Sequence, residues 1–183
     1  MNAARTLLLA ALLGAVATSP AGACGLDAGL GDEVSAAHPR SIDVALAIHD
    51  AVEVRRLAPR AAAAAEAREA RTDDTVHRAH EVLGNTSAAP LPAIALLLVE
   101  SRHWSRHLPD AAGDPAHADG PQSGDVVIVT GEAVLQAMLE GRLGWSEAER
   151  RGLIVLDGPP AAMARVTSAL SAHFNVAEAL ARN

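Results

Sequence analysis

Aromatic side chains are almost absent from this 183-residue chain, although half of its residues are apolar. The sequence contains one Phe, two Trp and no Tyr. A folded core therefore has to be built from Leu, Val, Ile and Ala, and their small volumes favour close helix packing. Without a predicted N-terminal leader about 160 residues remain, enough for one domain that buries roughly 70% of its unfolded surface.

The first 23 residues have the three parts of a secretory signal peptide. Arg5 supplies a positive charge, residues 6–18 form an uncharged apolar run, and residues 21–23 (Ala-Gly-Ala) offer small side chains to a signal peptidase. The run is shorter than the ~20 apolar residues that span a bilayer. We therefore expect residues 1–23 to be removed and the mature chain to be exported.

Cys24, the first residue of the predicted mature chain, is the only cysteine in the sequence. An unpaired thiol is prone to oxidation in an oxidising compartment, so a cysteine at this position suggests a specific role. Residues 21–24 resemble the lipobox of bacterial lipoproteins, with Ala21 where leucine is usual, and that resemblance implies acylation of Cys24. Ordinary cleavage that leaves a cysteine first predicts the same cut. Both interpretations stay open, and we expect either a periplasmic protein or a membrane-anchored lipoprotein.

The chain is acidic, with a formal net charge of −7 that loses the positive charge of Arg5 on cleavage. Such a surface repels phosphate backbones and anionic lipid head groups. The only small basic cluster is Arg55, Arg56 and Arg60. We expect no nucleic-acid partner, and membrane contact only through an N-terminal lipid anchor.

Two helices are predicted in the first half of the mature chain, after a glycine-rich tether over residues 24–37. The first has Ser41 as its N-cap and runs to about Leu57. Its predicted apolar face consists of Ile42, Ala45, Leu46, His49 and Val52. The second lies between Arg60 and Leu83, where few large apolar residues occur, and is expected to be peripheral.

Strand and helix signals alternate in the second half. One long strand is expected from Ala93 to Trp104, a second over Asp125–Thr130 and a third over Leu153–Leu156. Between the last two, a helix over Glu132–Glu140 is followed by a short one with a capping box of Ser146 and Glu149. Pro159 and Pro160 open a closing helix. Residues 38–183 are thus predicted to form a single α+β domain with about three recognisable strands.

The C-terminal segment resembles the end of sterol carrier protein domains. The resemblance rests on the strand Asp125–Thr130, the helix Glu132–Leu139 with its Gly141-Arg142-Leu143 turn, Ala148 in the short helix, and the strand and turn Gly152–Gly158. It is clearest over these residues and extends across roughly 93–175. It implies a fold in which a sheet and helices enclose an apolar tunnel for a lipid or acyl chain, without metal and without catalytic residues.

The resemblance also implies which side chains would line such a tunnel. They come from one side of the second strand and from the helix after it: Val127, Val129, Leu135, Met138 and Leu139. The sequence departs from the family in having fewer strands before this segment. The same side chains also fit a closed, dry core.

The eight histidines suggest a second kind of site. His77 and His80 share a helix face, and His103 and His107 share a face in either a strand or a helix. Paired imidazoles bind zinc or copper. A third ligand would be His38, His49, His117 or the thiol of Cys24, whereas Arg102 and Arg106 beside two of these histidines disfavour a cation.

No hydrolase elbow, phosphate loop or dinucleotide fingerprint occurs in the sequence. Glu100 and Arg102 lie on one side of the expected long strand, with Trp104 beyond them, and they suit an edge ion pair as well as a polar recognition site. We therefore predict an exported, non-catalytic protein that needs no cofactor and binds a lipid or other apolar small molecule. The alternatives are a periplasmic copper or zinc binder and a scaffold for a partner protein.

Overall fold

A computed structural model describes residues 37–59, 64–85, 90–109 and 117–181, with side chains up to residue 175. The predicted signal peptide (residues 1–23), Cys24 and the tether up to residue 36 lie outside the described residues. No helix in the described part of the chain has the length and apolar character needed to cross a membrane.

The described residues form an α+β fold, which confirms the predicted fold class, with five helices and one four-stranded sheet. The strands follow the order β2-β1-β3-β4, in which β1 and β3 are parallel and the two outer pairs are antiparallel. The elements in chain order are α1 (Ser41–Glu53), α2 (Ala65–Asn85), β1 (Ile94–Leu98), β2 (His103–His107), β3 (Val126–Thr130), α3 (Glu132–Leu139), α4 (Trp145–Arg150), β4 (Val155–Asp157) and α5 (Pro160–Ala181).

The strand register assigns each side chain to one of two sheet faces, because paired residues point the same way and neighbours alternate. What we call the histidine face consists of Ile94, Leu96 and Leu98 of β1, His103, Ser105 and His107 of β2, and Val126, Ile128 and Thr130 of β3. The opposite face carries Ala95, Leu97, Trp104, Arg106, Val127 and Val129. Every residue of β1 and β3 is buried, so both faces of the sheet centre are covered.

The expected long strand from Ala93 to Trp104 is wrong, because the chain reverses within it. β1 and β2 form a hairpin in which Leu98 pairs with His103. Arg102 in the turn has φ 53°, a left-handed conformation that ends an extended strand. Glu100 and Arg102 therefore sit in a turn and not along an edge strand. This hairpin raises the strand count from the three recognised in the sequence to four.

The apolar face predicted for α1 is also wrong, because the face that is buried is rotated about the helix axis from the predicted one. The buried residues are Ser41, Val44, Ile48 and Ala51. Ile42 and Leu46 are instead 40% and 58% exposed. Both stripes contain apolar residues, and packing against β3 selects the one with smaller side chains. Ser41 is the first helical residue, and Arg40 occupies the N-cap without a side-chain hydrogen bond.

α2 is not peripheral, contrary to expectation. It buries Thr72, Thr75, Val76, Ala79, His80 and Leu83 and packs on α3 and β2. Only two of these six residues are large and aliphatic, so periodicity of large apolar residues does not reveal this buried stripe. Short side chains are sufficient because they allow close approach of the helices.

The elements after Asp125 follow the predicted order, but the predicted capping box does not form. α4 begins at Trp145 with Gly144 as its N-cap and no side-chain cap. Ser146 instead bonds to α5, where the Asn175 side-chain amide donates to the Ser146 hydroxyl over 2.9 Å. The Ser146 hydroxyl, which the local sequence predicts to cap the helix, is thus used in a tertiary contact with α5.

Gly131, between β3 and α3, offers a test of this packing. A Cβ atom there would lie 2.5 Å from Ile48 Cδ1 and would overlap the Glu100 carboxylate. We expect Gly131→Ala to lower the free energy of unfolding by about 1–3 kcal/mol through overpacking. Gly84→Ala in α2 is the matched control: a Cβ there meets nothing within 4 Å, and helix propensity predicts up to about 1 kcal/mol of stabilisation. Urea denaturation of both variants measures the difference, and equal midpoints would contradict the contact.

Candidate functional sites

The end of β3 is joined to the end of β1 through one carboxylate. Glu100, just after β1, accepts a hydrogen bond from the backbone N–H of Glu132 at 3.1 Å. Glu132 is the first residue of α3, so the Glu100 carboxylate lies at that helix's N-terminus, where the helix dipole stabilises its negative charge. Ile48 of α1 approaches Gly131 at the same place. We call these residues, with Thr130, the β3–α3 junction.

The side chain of Glu132 is only 1% exposed and ties α2 to the junction. The Thr72 hydroxyl donates to its Oε2 over 2.9 Å, and Arg71 Nε lies 3.5 Å from its Oε1. Gln136 donates to the same Oε1 over 3.3 Å. A buried carboxylate is costly unless it is paired and hydrogen-bonded, so these contacts fix the position of α2 against α3.

Five histidines meet where α2 covers the histidine face. His77 and His80 of α2 share a stripe with Asp73, and this stripe lies opposite His103, Ser105 and His107 of β2. His80 Nε2 is 3.0 Å from Ser105 Oγ, and its ring centroid is 5.6 Å from that of His107. The backbone of His117 pairs with that of Ser105 through an isolated antiparallel β-bridge. The rings of His117 and His103 stand edge to face, with their centroids 5.0 Å apart.

Burial keeps three of these imidazoles neutral. The pKa of His80 is lowered to about 4, first by desolvation and then by His107, His77 and His103. Desolvation and the nearby His117 lower the pKa of His103, while Asp73 partly offsets this. Desolvation also lowers the pKa of His107. At neutral pH these rings carry lone pairs and not charges.

A cavity of about 870 Å³ opens beside this group, and its lining is mainly polar. The lining residues come from α2, the β1–β2 turn, β2 and the segment before β3: Arg68, Glu69, Thr72, Asp73, Val76, His77, Glu100, Ser101, His103 and His117. We call it the histidine cavity. Within the described ranges, no three His, Cys, Asp or Glu side chains are already placed to hold one metal ion.

The structure brings together His77, His80, His103 and His107, the histidines proposed from sequence, and of the suggested further ligands it adds His117. His38 lies near β4 at the other edge of the sheet, where its Nε2 is 3.3 Å from Asp157 Oδ2. His49 is exposed on α1. Cys24 lies outside the described residues. Arg106 forms a two-pronged pair with Asp125 on the opposite face, both contacts 2.8 Å long, so its charge is neutralised away from the imidazoles.

The residues expected to line an apolar tunnel lie in the domain interior. Val127, Val129, Leu135 and Met138 belong to one continuous hydrophobic core, and half-buried Leu139 packs against it. None of the five lines the histidine cavity. They are thus placed as core residues in the ligand-free chain.

An apolar groove reaches this core from the surface. It measures about 370 Å³ and runs between the end of α1 and the loop before β4. Ala47, Ala51, Val54 and Leu153 supply its apolar lining, while Asp50, Arg56 and Arg151 supply its charged groups. We call it the α1 groove. Leu153 connects it to the junction, because its carbonyl oxygen accepts a hydrogen bond from the Thr130 hydroxyl at 2.9 Å.

Sequence reasoning missed the α1 groove and the role of Glu132. The groove joins residues about 100 positions apart, Ala51 and Leu153, which only the packing of α1 on β3 brings together. Glu132 resembles any acidic residue in the first turn of a helix. The sequence does not indicate that α2 will cover it.

Among solved structures, the chain is similar to the crystal structure of sterol carrier protein 2 like 2 from Aedes aegypti. The two share 18% sequence identity with a TM-score of 0.44, over 55% of this chain and 96% of that one. This neighbour carries the name of the family that the C-terminal residues resemble. No protein-family model matches the chain, and no curated protein matches it.

The lowered pKa of His80 predicts acid instability. Its folded pKa of about 4 lies below the ordinary 6.5, so the unfolded chain binds the proton more tightly. The stabilisation is complete above about pH 6.5 and is lost as pH falls toward about 4, a change on the order of 2 kcal/mol by about pH 4.5.

His103 and His107 act in the same direction as His80, because their pKa values are also lowered. Denaturation of wild type and His80→Gln at about pH 7 and 4.5 measures the effect. The variant should show the smaller acid loss, whereas His49→Gln, changed at an exposed position, should behave as wild type. An equal acid loss in His80→Gln would refute the assignment.

Proposed function

We propose that this chain is an exported, non-catalytic binding protein whose ligand is apolar and enters through the α1 groove. The observation that carries the proposal is that the apolar lining of this groove is continuous with the core. Ala51 and Leu153 are core residues, 6% and 1% exposed. A ligand in the groove thus rests directly on the domain interior.

Val54 at the end of α1 gives the groove an incompletely covered apolar side. It is 61% exposed although it borders buried residues. Covering apolar surface stabilises a complex by about 25 cal/mol for each Å² removed from water. An apolar ligand gains this term here, whereas a polar ligand would be desolvated against alanine and leucine.

We propose that the deeper part of the site is the region predicted from the sequence. The Thr130–Leu153 hydrogen bond sets the groove at the end of β3. Val127 and Val129 belong to the same strand, on the sheet face opposite to Thr130. Met138 and Leu135 on α3 are in the same core, with Leu139 beside them. Methionine is unbranched and adapts to irregular shapes. We propose that these five side chains move apart to admit the end of a ligand longer than the groove.

The charged groups around the groove indicate the type of ligand. Arg56 and Arg151 contribute two positive charges against the single carboxylate of Asp50. Arg151 also pairs with Glu147, so its charge is partly balanced. A lipid with an anionic end fits this arrangement. The mosquito protein similar to this chain is named a sterol carrier, and a sterol, which has no anionic end, is the contrasting ligand to test.

Catalysis is not part of the proposal, although one side-chain pair has suitable geometry. His80 Nε2 and Ser105 Oγ, at 3.0 Å, are within reach of each other as base and nucleophile. Ser105 is fully buried, however, so no substrate can meet its hydroxyl. The lowered pKa of His80 also makes it a weak base. We propose that the pair is structural.

Export is proposed from the sequence alone, through the leader over residues 1–23 and the cysteine that follows it. Intact mass of the protein from its native host is the direct measurement. A chain that begins at Cys24 supports export, with an added lipid mass for acylation and none for simple cleavage. A chain that retains residues 1–23 after full expression would contradict the proposal.

Val54→Asp is the test of the groove, with Leu46→Asp as its control. Both residues are on or just after α1 and are about equally exposed, 61% and 58%, but only Val54 lines the groove. A carboxylate that the bound ligand would cover should weaken binding of a fluorescent fatty acid at least tenfold, about 1.4 kcal/mol. Leu46→Asp should bind as wild type.

Fluorescence titration measures both variants against the fatty acid and an uncharged fluorescent sterol. Tighter binding of the fatty acid supports the role of Arg56 and Arg151. If wild type binds neither probe, or if Val54→Asp and Leu46→Asp bind equally, the α1 groove is not the site. A co-purified protein in place of a lipid would then favour the scaffold alternative.

A further inference from the structure

We propose that the histidine cavity binds a divalent transition-metal ion, with His103 and His117 as a ready pair of ligands and His77 as the third. This site is separate from the α1 groove: it lies on α2 and β2, and the two cavities share no lining residue. It gives the chain a second binding activity independent of the apolar ligand.

The ready pair stands edge to face at 71°, and its ring separation is compatible with a shared ion. Two imidazoles that share a tetrahedral zinc ion at about 2 Å hold their ring centroids about 5 Å apart. His103 and His117 have centroids 5.0 Å apart, and both line the cavity. The bridge between Ser105 and His117 holds the segment that carries His117 against β2. The backbone thus positions two ligands from different parts of the chain.

We propose that His77 becomes the third ligand by a side-chain rotation. His77 lines the same cavity, and its Nε2 currently lies 3.5 Å from Glu81 Oε1. Both side chains of that pair are more than half exposed, 57% and 62%, and exposed pairs of this kind are weak. A metal–imidazole bond easily replaces such a contact. Among the described residues no three such ligands converge as they stand, so the proposed site requires this rotation.

The surroundings of the cavity suit a cation. Glu69 and Asp73 on the cavity wall outweigh the single charge of Arg68. His80 is less suited as a ligand, because its Nε2 is occupied by Ser105 and its side chain is buried.

Calorimetric titration of the metal-free mature protein with zinc tests the proposal. We expect one ion per chain, and His103→Ala and His117→Ala should each weaken binding at least tenfold. His49→Ala removes an exposed histidine on α1 and should leave affinity unchanged. Val54→Asp, in the other site, should also bind zinc as wild type, so a failure of the apolar proposal does not affect this one.

A second measurement on the wild-type protein avoids reliance on variants that fail to fold. In imidazole ¹H–¹⁵N spectra, zinc should shift the His77, His103 and His117 resonances and leave His49 and His38 unchanged. Absence of stoichiometric zinc binding, or shifts confined to other histidines, would overturn the proposal. Wild-type affinity in folded His103→Ala and His117→Ala variants would overturn it as well.

Discussion

The hydrogen bond from the first backbone N–H of α3 to the Glu100 carboxylate organises this domain. It links the ends of the two parallel central strands, β1 and β3, and places a charge where the helix dipole favours it. Three further elements meet there. Ile48 of α1 packs against Gly131, and Thr72 of α2 donates a hydrogen bond to Glu132. In the loop before β4, the Leu153 carbonyl oxygen accepts a hydrogen bond from the Thr130 hydroxyl. The β3–α3 junction thus fixes the helices relative to the sheet.

The two proposed sites lie on different sides of this junction and differ in chemistry for that reason. On the α1 side the nearby residues are alanines, Val54 and Leu153, and the result is an apolar groove. On the α2 side Glu100 itself lines the cavity, together with imidazoles and carboxylates. The small side chains that the sequence provides permit both arrangements, since they let α1 and α2 approach the sheet without large aromatic residues filling the space.

The sequence predicts the second half of the fold better than the first because its signals there are local. β3, α3, β4 and α5 each have their own apolar pattern and turn residues, and the order of these elements carried the resemblance to sterol carrier domains. The hairpin of β1 and β2 was missed because an apolar run continuing into Trp104 looks like one strand until Arg102 reverses it. The buried stripe of α1 was misassigned because Val44 and Ile42 are equally apolar, and only packing decides between them. Spacing indicated which histidines share a face on α2 and on β2. His117 was one of four suggested third ligands, and its bridge to Ser105 places it beside His103.

The central claim is that this is a binding protein with an apolar ligand, and native mass spectrometry of the untagged protein from its own host tests it most directly. The account predicts a non-covalent increment of lipid size that dissociates on collisional activation, leaving the mature chain. Two results together would contradict the account: the protein shows only the bare mass of the chain, and it also fails to bind added fatty acid or sterol.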